Sequence, residues 1–458
     1  MNDIQTLLKE QRSYFNTGAT RNLDFRIEKL GVLKKSIKKN EKQILEALWA
    51  DLHKSEFEAY ATEIGIILDE INYVMKHLKS WSKTRKVRTP LTHFLSSSYI
   101  YSEPYGVSLI ISPWNYPFQL LMAPLIGSIA AGNCALLKPS ENSPNTTEVI
   151  IKIIEESFSE KFVSVIEPYG GKESAEALLK EEFDYIFFTG SVPVGKVVMK
   201  AAAKHLTPVT LELGGKSPCI VHKDADIKLA AKRIAWGKFL NAGQTCVAPD
   251  YILVHQSVKR QFLTEITEYI KEFFGEHPVK SNDFPRIINE RHFDRLVGLL
   301  DKGNIVTGGE YSKSEKYIEP TILDNITWND PIMLDEIFGP ILPVMEFEDL
   351  EQVIEMVNSK PKPLALYFFS SNKKHQKRII DMISYGGGCI NDTIMHVASP
   401  HLPFGGVGAS GMSAYHGKGS YDVFSHKKSV IKKSNLIDVK IRYAPYGDKI
   451  KLLKKLMK

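Results

Sequence analysis

The chain is poor in cysteine: its 458 residues carry four, Cys134, Cys219, Cys246 and Cys389, far apart and with no CxxC pair. That excludes a disulfide scaffold, gives no metal ligand set of the zinc type, and points to a reducing compartment. A long apolar run is also missing. The most apolar stretch, 117–132, is broken by Gln119, Pro124 and Ser128 and falls short of the ~20 residues a bilayer span needs. The first residues, Met1-Asn2-Asp3-Ile4-Gln5, have neither the basic start nor the apolar core of a secretory signal, so a cytoplasmic location is expected. No fixed-period repeat or low-complexity tract occurs. Nor is there a broad basic face. The net charge is +6, yet residues 427–458 alone hold eleven Lys and Arg against Asp438 and Asp448, so the excess belongs to the tail. Without basic residues interleaved with aromatics, nucleic acid is not an expected partner.

What is present is ordinary globular chain, 43% hydrophobic and 24% charged, long enough for two or three domains. Residues 3–81 read as helices. Ile4, Leu7 and Leu8 begin one apolar stripe, Leu23, Ile27, Leu30, Leu33 and Ile37 make another, and Ile64, Ile67, Leu68, Ile71 and Val74 a third, with Asn16-Thr17-Gly18 stopping the first helix. Lys83 to Ser102 turns basic and β-rich, an excursion rather than core. From Tyr105 short apolar runs alternate with helices, the signature of a parallel α/β sheet. Strands are predicted at 107–111, 134–138, 163–167 and 185–189, with helices near 120–131, 145–157, 172–180 and 195–204. A second set opens near Pro208 and includes 217–221, 250–255 and 364–370. The fold class is α/β, with two doubly wound Rossmann-like domains, a cleft between them, and a small β element beside them.

Of the cysteines, Cys246 keeps different company. Gly243-Gln244-Thr245-Cys246-Val247 is small and polar, a setting that can present a thiolate to a cleft, whereas Cys134 and Cys219 lie in apolar strands as packing residues and Cys389 follows three glycines. A carboxylate, Glu212, stands 34 positions before Cys246 in Leu211-Glu212-Leu213-Gly214-Gly215-Lys216. Read alone, the other polar motifs have plain explanations. Asn115 beside Tyr116 and Pro117 is a turn residue. Lys138-Pro139-Ser140-Glu141 is a helix-entry loop. Gly190 and Gly195 are spaced G-x-x-x-x-G rather than G-x-G-x-x-G, which by general rules marks only a strand-to-helix turn. His222 and His255 end strands, and His401 and His416 fall in glycine-rich loops, where structural roles are expected.

Taken together these motifs are in register with one family. Residues 205–219 and 233–253, with Ser112-Pro113-Trp114-Asn115-Tyr116-Pro117 before them and Glu336-Ile337-Phe338-Gly339-Pro340 after, resemble the aldehyde dehydrogenase superfamily over about 55–429. The 34-position separation of Glu212 and Cys246 is the family's, and the 90 positions from Cys246 to Glu336 match its shorter branch, the class 3 and fatty aldehyde enzymes. Pro403-Phe404-Gly405-Gly406-Val407-Gly408 belongs to that pattern, with Ser413 where a further glycine is expected.

The resemblance implies a mechanism. Cys246 attacks an aldehyde carbonyl, and the Asn115 amide and the backbone N–H of Cys246 hold the oxyanion. Hydride leaves for a nicotinamide, and Glu212 activates water to hydrolyse the thioester. It further implies a cofactor site made of Trp114, Lys138, Glu141, Gly190, Ser191, Val192, Pro193, Val194, Gly195, Leu213, Glu336 and Phe338. Lys138 and Glu141 lie at the adenosine ribose, Glu336 at the nicotinamide ribose and Phe338 against that end. A carboxylate near the 2′ position favours NAD over NADP by repulsion, with NADP still possible. Residues 1–81 and 104–208 are expected to form the cofactor domain, 209–396 the catalytic domain, 82–103 and about 428–445 bridging segments of a homodimer, 397–427 loops returning to the cleft, and 446–458 a basic tail. The substrate class implied is a medium-chain, long-chain or aromatic aldehyde. The tail's Leu453, Leu456 and Met457 at helical spacing permit membrane contact, but a solvated basic end is the expectation. Two other functions stay open at this point: release of the thioester to coenzyme A or phosphate, and a catalytically silent protein that has kept the fold.

Overall fold

Every residue of the runs Val107–Ile111, Cys134–Lys138 and Tyr185–Thr189 is buried. Strands apolar on both faces require cover on both faces, which a parallel sheet flanked by helices provides. In the computed structural model, which describes residues 4–166, 171–438 and 442–456, they form the middle of a six-stranded sheet. Its order is Gly411–Met412, Val209–Glu212, Tyr185–Thr189, Val107–Ile111, Cys134–Lys138, Val163–Val165. The last five run parallel. The chain builds outward from Val107–Ile111 to one side, then returns to the other. The reversal therefore lies between Val107–Ile111 and Tyr185–Thr189, where Ser112 and Gly190 leave the sheet.

A second sheet follows the same plan: Asn304–Thr307, Thr321–Asp324, Ile341–Phe347, Tyr251–His255, Pro218–Val221, Ala365–Phe369, Gly387–Ile390, all parallel except the first. Here the pairing corrects the sequence reading. Val209–Glu212 does not open the second set but pairs with Tyr185–Thr189 as the fifth parallel strand of the first sheet. An apolar run carries no mark of which neighbour it will take. The short strand Gly411–Met412 covers that edge by pairing antiparallel with Glu212 and Leu211. Ser413, standing where a glycine is expected, has a left-handed backbone with φ 72, the conformation glycine adopts most readily. The predicted strand at 163–167 ends at Val165; Glu167 lies outside the described residues.

The N-terminal segment up to Trp81 is helical: Ile4–Asn16, Leu23–Lys39, Glu41–Leu52 and Gly65–Trp81. Gly18 at φ 78 ends the first, and the Asn22 side chain caps the second by accepting from the Phe25 N–H at 3.1 Å. Between the last two, Glu56–Ala59 runs into a π turn at Tyr60–Ile64, a device that recurs near functional sites. The basic excursion forms a third sheet. Ser96–Pro104 pairs antiparallel with Arg85–Val87 on one side and, over nine positions, with Ser425–Lys433 on the other. Of the bridging stretch 428–445, residues 439–441 lie outside the described residues, as do Met457 and Lys458 of the tail, whose helix Ile450–Leu456 exposes Ile450, Leu452 and Leu453. Among the described residues no helix is long and apolar enough to cross a membrane.

Glu70, buried on the helix Gly65–Trp81, ties the N-terminal helices to the returning C-terminal loops by accepting from the Gly417 N–H at 2.7 Å. Burial pushes its carboxyl up to about 7, and that hydrogen bond offsets only part of the shift. A carboxyl raised on folding binds more protons in the native state than in the unfolded one. Its contribution to stability therefore falls as pH rises between its unfolded value and about 7. Glu70→Gln keeps the acceptor and removes the charge. It should melt higher than the parent at about pH 8, by the equivalent of roughly 1–3 kcal/mol, with the gap closing toward about pH 5. Equal or lower melting temperatures across that range would show that the charge is not a burden.

Candidate active site

After the helix Ile227–Phe239 the backbone turns left-handed at three consecutive residues, Asn241 (φ 52), Ala242 (φ 51) and Gly243 (φ 72), before Gln244-Thr245-Cys246. Left-handed non-glycine residues each cost about 1–2 kcal/mol, so the loop must be held from outside. Asn241 donates its N–H to Glu58 Oε1 at 2.9 Å and its side-chain amide to the Asn115 carbonyl at 2.8 Å. Gln244 donates to the carbonyls of Asn241 and Arg286 and accepts from the Ile288 N–H at 3.1 Å. Tyr116 and Thr245 join hydroxyls at 2.7 Å, and Tyr367 donates to the Val247 carbonyl at 2.5 Å. At Gly243 a Cβ would stand 2.3 Å from the Gly339 carbonyl oxygen, so only glycine permits this approach of the Cys246 loop to the Glu336–Gly339 turn.

Asn115 reaches the loop from the first sheet's reversal. Its Nδ2 donates to the Gln244 carbonyl at 3.0 Å. Its own carbonyl accepts from Lys54 Nζ at 3.0 Å, and Lys54 pairs with Glu63 at 2.5 Å, both side chains fully buried. A buried pair is tolerable when its remaining valences are filled. Here Glu63 Oε2 takes the N–H groups of Phe118 and Gln119 at the start of the helix Gln119–Ala131, and Lys54 lies 3.9 Å over the Tyr116 ring. Lys54, Glu58, Glu63, Asn241 and Gln244 are the residues that sequence reasoning missed. Charged side chains on amphipathic N-terminal helices read as solvated, and no sequence pattern marks the π turn Tyr60–Ile64 that carries Glu63.

Three acidic groups share one field. Glu212, the last residue of its strand, is 3% exposed, and neither carboxylate oxygen has a hydrogen-bond partner among the described residues. Burial pushes it well above the ordinary carboxyl range. The half-buried Cys246 thiol is pushed up by burial and then by the charges of Glu336 and Glu212, while the N–H groups of Cys246 and Val247 pull it back. Glu336 is raised to about 8 by burial and by Asp250, eased by the Gly215 N–H, Lys216 and Arg295. Lys216 fastens this side, with Nζ 2.6 Å from Asp250 Oδ2 and 2.9 Å from the Asp335 carbonyl. Asp250 Oδ1 in turn accepts from the Ile337 N–H at 2.9 Å.

The residues expected to hold the cofactor line up beside this cluster. Gly190 donates its N–H to the Glu212 carbonyl at 3.0 Å, and Gly195 packs on Leu213, where a Cβ would lie 2.6 Å from the leucine side chain. Gly214 faces Glu336, with a Cβ position 2.0 Å from Oε2. The helix Val192–Ala202 starts at Ser191, Val192, Pro193 and Val194. Among the described residues no side chain caps it, and Ser191 and Val194 are exposed. Free first-turn amides beside an exposed apolar residue fit a pyrophosphate and the groups it carries. Buried Lys138 and exposed Glu141, paired at 3.2 Å, sit at the end of the next strand but one. Trp114 packs edge-on to Phe338 at 5.4 Å, and Phe338 itself has φ 51. The residues therefore fit a nicotinamide dinucleotide, with Glu336 available to ribose hydroxyls.

Comparison with known proteins gives the family. The aldehyde dehydrogenase family model matches residues 1–430. The chain is 52% identical to 4,4'-diaponeurosporen-aldehyde dehydrogenase of Staphylococcus aureus (strain NCTC 8325 / PS 47), over 100% of both chains. It is 47% identical to the dimeric NADP-preferring aldehyde dehydrogenase of Rattus norvegicus, over 97% of this chain and 98% of that one. A solved structure of Staphylococcus aureus AldH in a substrate-bound state superposes with a TM-score of 0.98 at 51% identity, covering both chains fully. On these matches and this geometry the chain belongs to the aldehyde dehydrogenase family, an oxidoreductase that oxidises aldehydes with a nicotinamide dinucleotide.

Proposed function

We propose that Cys246 is the nucleophile, Asn115 an oxyanion donor and Glu212 the hydrolytic base of an enzyme that turns apolar aldehydes into carboxylic acids. The observation that carries this reading is Glu212, a carboxylate buried without a hydrogen-bond partner among the described residues, in the electrostatic field of a half-buried thiol. The thiolate adds to the carbonyl carbon, and the oxygen takes hydrogen bonds from Asn115 Nδ2 and the Cys246 N–H. The bound cofactor supplies the hydride acceptor. Glu212 then takes a proton from the water that attacks the thioester on Cys246, which releases the acid and restores the thiol. A base placed for water favours hydrolysis over transfer to coenzyme A or phosphate.

Trp114, Lys138, Glu141, Gly190–Gly195, Leu213, Glu336 and Phe338 hold the dinucleotide, in a domain of residues 1–81 and 104–212. The catalytic domain is 213–396, the returning loops are 397–424 and the basic tail is 446–458. Two chains associate through the third sheet, whose outer strand Ser425–Lys433 keeps an open edge among the described residues. The protein works in the cytoplasm. An apolar substrate is supported by the exposed Phe57 and Tyr60, which flank Glu58 behind the Cys246 loop, and by Trp236 and Met395, which flank the packing of Gly237 on Thr393 and Ile394. The exposed Glu141 can turn from a 2′-phosphate, so both NAD and NADP are accepted, as the name of the rat relative leads one to expect. The test is a panel of short, medium and long aliphatic aldehydes and benzaldehyde, run with each cofactor. kcat/KM should rise with chain length, and Glu141→Ala should shift the NADP to NAD ratio upward by roughly tenfold, the effect of about 1.4 kcal/mol. An unchanged ratio would remove Glu141 from the 2′ position.

A further inference from the structure

The second sheet has a reversal of its own, and the proposed chemistry does not use it. Pro218–Val221 is its first strand; Tyr251–His255 and Ile341–Phe347 are added on one side, and Ala365–Phe369 and Gly387–Ile390 on the other. The crevice outside the carboxyl ends of Pro218–Val221 and Ala365–Phe369 is where open α/β sheets commonly take ligands. Two of the proposed catalytic groups and one proposed cofactor residue precede strands of this sheet: Glu212 stands before Pro218–Val221, Cys246 before Tyr251–His255 and Glu336 before Ile341–Phe347. The carboxyl end lies a strand's length away, roughly 13 Å.

Three side chains that can ligate a metal meet at that end. His222 follows Val221 directly, and its N–H donates to the Phe369 carbonyl at 3.0 Å, clamping the two strands. Asp224 stands two residues further on. His375 enters from the first turn of the helix Lys373–Met382, which follows Ala365–Phe369. Asp224 lies between the rings, Oδ1 at 2.8 Å from His222 Nδ1 and Oδ2 at 3.4 Å from His375 Nδ1. The ring centroids of the two histidines are 4.6 Å apart, and one ligand atom from each of the three residues lies within 4.8 Å of the others. His375 Nδ1 is buried and lacks a hydrogen-bond partner among the described residues. His222 is itself buried, whereas the intervening Lys223 is exposed, its charge turned to solvent.

We infer that His222, Asp224 and His375 bind a divalent transition metal of the zinc type at the second sheet's reversal. Bonds of about 2.0–2.1 Å in a tetrahedral shell set ligand atoms about 3.3 Å apart, so these groups need to shift only by fractions of an ångström to about one. Two imidazoles and one carboxylate suit Zn²⁺, Co²⁺ or Ni²⁺, whereas Mg²⁺ and Ca²⁺ prefer all-oxygen sets. Three protein ligands leave a position for water. At the opposite end of the sheet's strands from the Cys246 loop, the metal fastens Pro218–Val221 to the helix after Ala365–Phe369 and takes no part in turnover. The sequence reading gave His222 only a structural role at a strand end, because nothing in the spacing joins it to His375, 153 positions later.

Co²⁺ titrated into the full-length, chelator-treated protein is the test. One equivalent should bind, with the visible absorption of tetrahedral cobalt and no sulfur-to-metal band, and Zn²⁺ should displace it and raise the melting temperature. His375→Asn and Asp224→Asn should each weaken uptake at least about 100-fold and abolish the Zn²⁺ effect on melting, a loss beyond that of outer-shell changes. Both variants should keep dehydrogenase turnover, which reports that they have folded; should one be inactive, the other decides. Cys246→Ser should bind cobalt unchanged. Failure to bind Co²⁺ at ~100 μM, uptake that persists in both ligand variants, or uptake lost in Cys246→Ser would overturn the site, and none of these results bears on the dehydrogenase reading.

Discussion

Cys246→Ala should leave no measurable dehydrogenase turnover, a loss of at least about 10⁴-fold, while NAD and NADP bind with nearly parental affinity. Removing a covalent nucleophile takes away the acyl-carrying atom itself, and what remains is the modest catalysis of binding and oxyanion donors. The variant is a clean test because the thiol does not hold its own loop. The left-handed turn at Asn241, Ala242 and Gly243 is secured by Glu58, Asn115, Gln244 and the Tyr116–Thr245 pair, all of which remain. Melting should therefore change little. Cys134→Ala and Cys219→Ala make the contrast, since both side chains are fully buried within strands. They should lower stability by about 1–2 kcal/mol, as small core truncations do, and keep activity. Cofactor affinity is read by fluorescence titration and turnover by formation of the reduced nicotinamide. Substantial turnover in purified Cys246→Ala would end the covalent mechanism.

The parts of this fold legible in the sequence are those where a local pattern has a single explanation. Runs buried on both faces stood out as apolar blocks, and Val107–Ile111, Cys134–Lys138 and Tyr185–Thr189 occupy the positions read for them. Sheet membership was not legible, because an apolar run fits any parallel neighbour; Val209–Glu212 therefore changed sheets. The strands Asn304–Thr307, Thr321–Asp324, Ile341–Phe347 and Gly387–Ile390 were not identified, and neither was the helix Glu41–Leu52 as separate from its neighbours. In the site, residues inside motifs could be named in advance. The network behind them could not. Lys54 and Glu63 are ordinary helix-surface types whose burial depends on the helix Gln119–Ala131 offering its free N–H groups to Glu63. Lys238 shows the same limit. It is wholly buried, its Nζ has no hydrogen-bond partner among the described residues, and burial lowers it to about 8, yet in sequence it is one more lysine on an amphipathic helix.

Glu212→Gln should split the reaction in two: the first turnover survives and the second stalls. Glutamine keeps the size of the side chain and removes its basicity, so acylation of Cys246 can proceed while water is no longer activated. Losing a general base costs about 100- to 10,000-fold in the step it serves. Rapid mixing with cofactor and aldehyde should give a burst of reduced nicotinamide of at most one per active site, then turnover slower by that factor. Mass spectrometry of the quenched protein should find the acyl adduct on Cys246. The burial that raises the Glu212 carboxyl adds a pH signature. In the parent protein the group must be ionised to act, so hydrolysis should accelerate as pH rises. In the variant that dependence should vanish from the slow phase. Glu212 also raises the thiol through its charge, and a neutral glutamine lifts that contribution, which favours the thiolate. If Glu212 also helps remove the thiol proton, the burst itself slows, and raising the pH restores it. Glutamine introduces a buried amide donor where no partner waits among the described residues, which costs about 1–3 kcal/mol. Melting is therefore measured alongside, to separate a weakened fold from a lost base. Parental steady-state turnover by Glu212→Gln, with no acyl-enzyme accumulating, would assign water activation to another group.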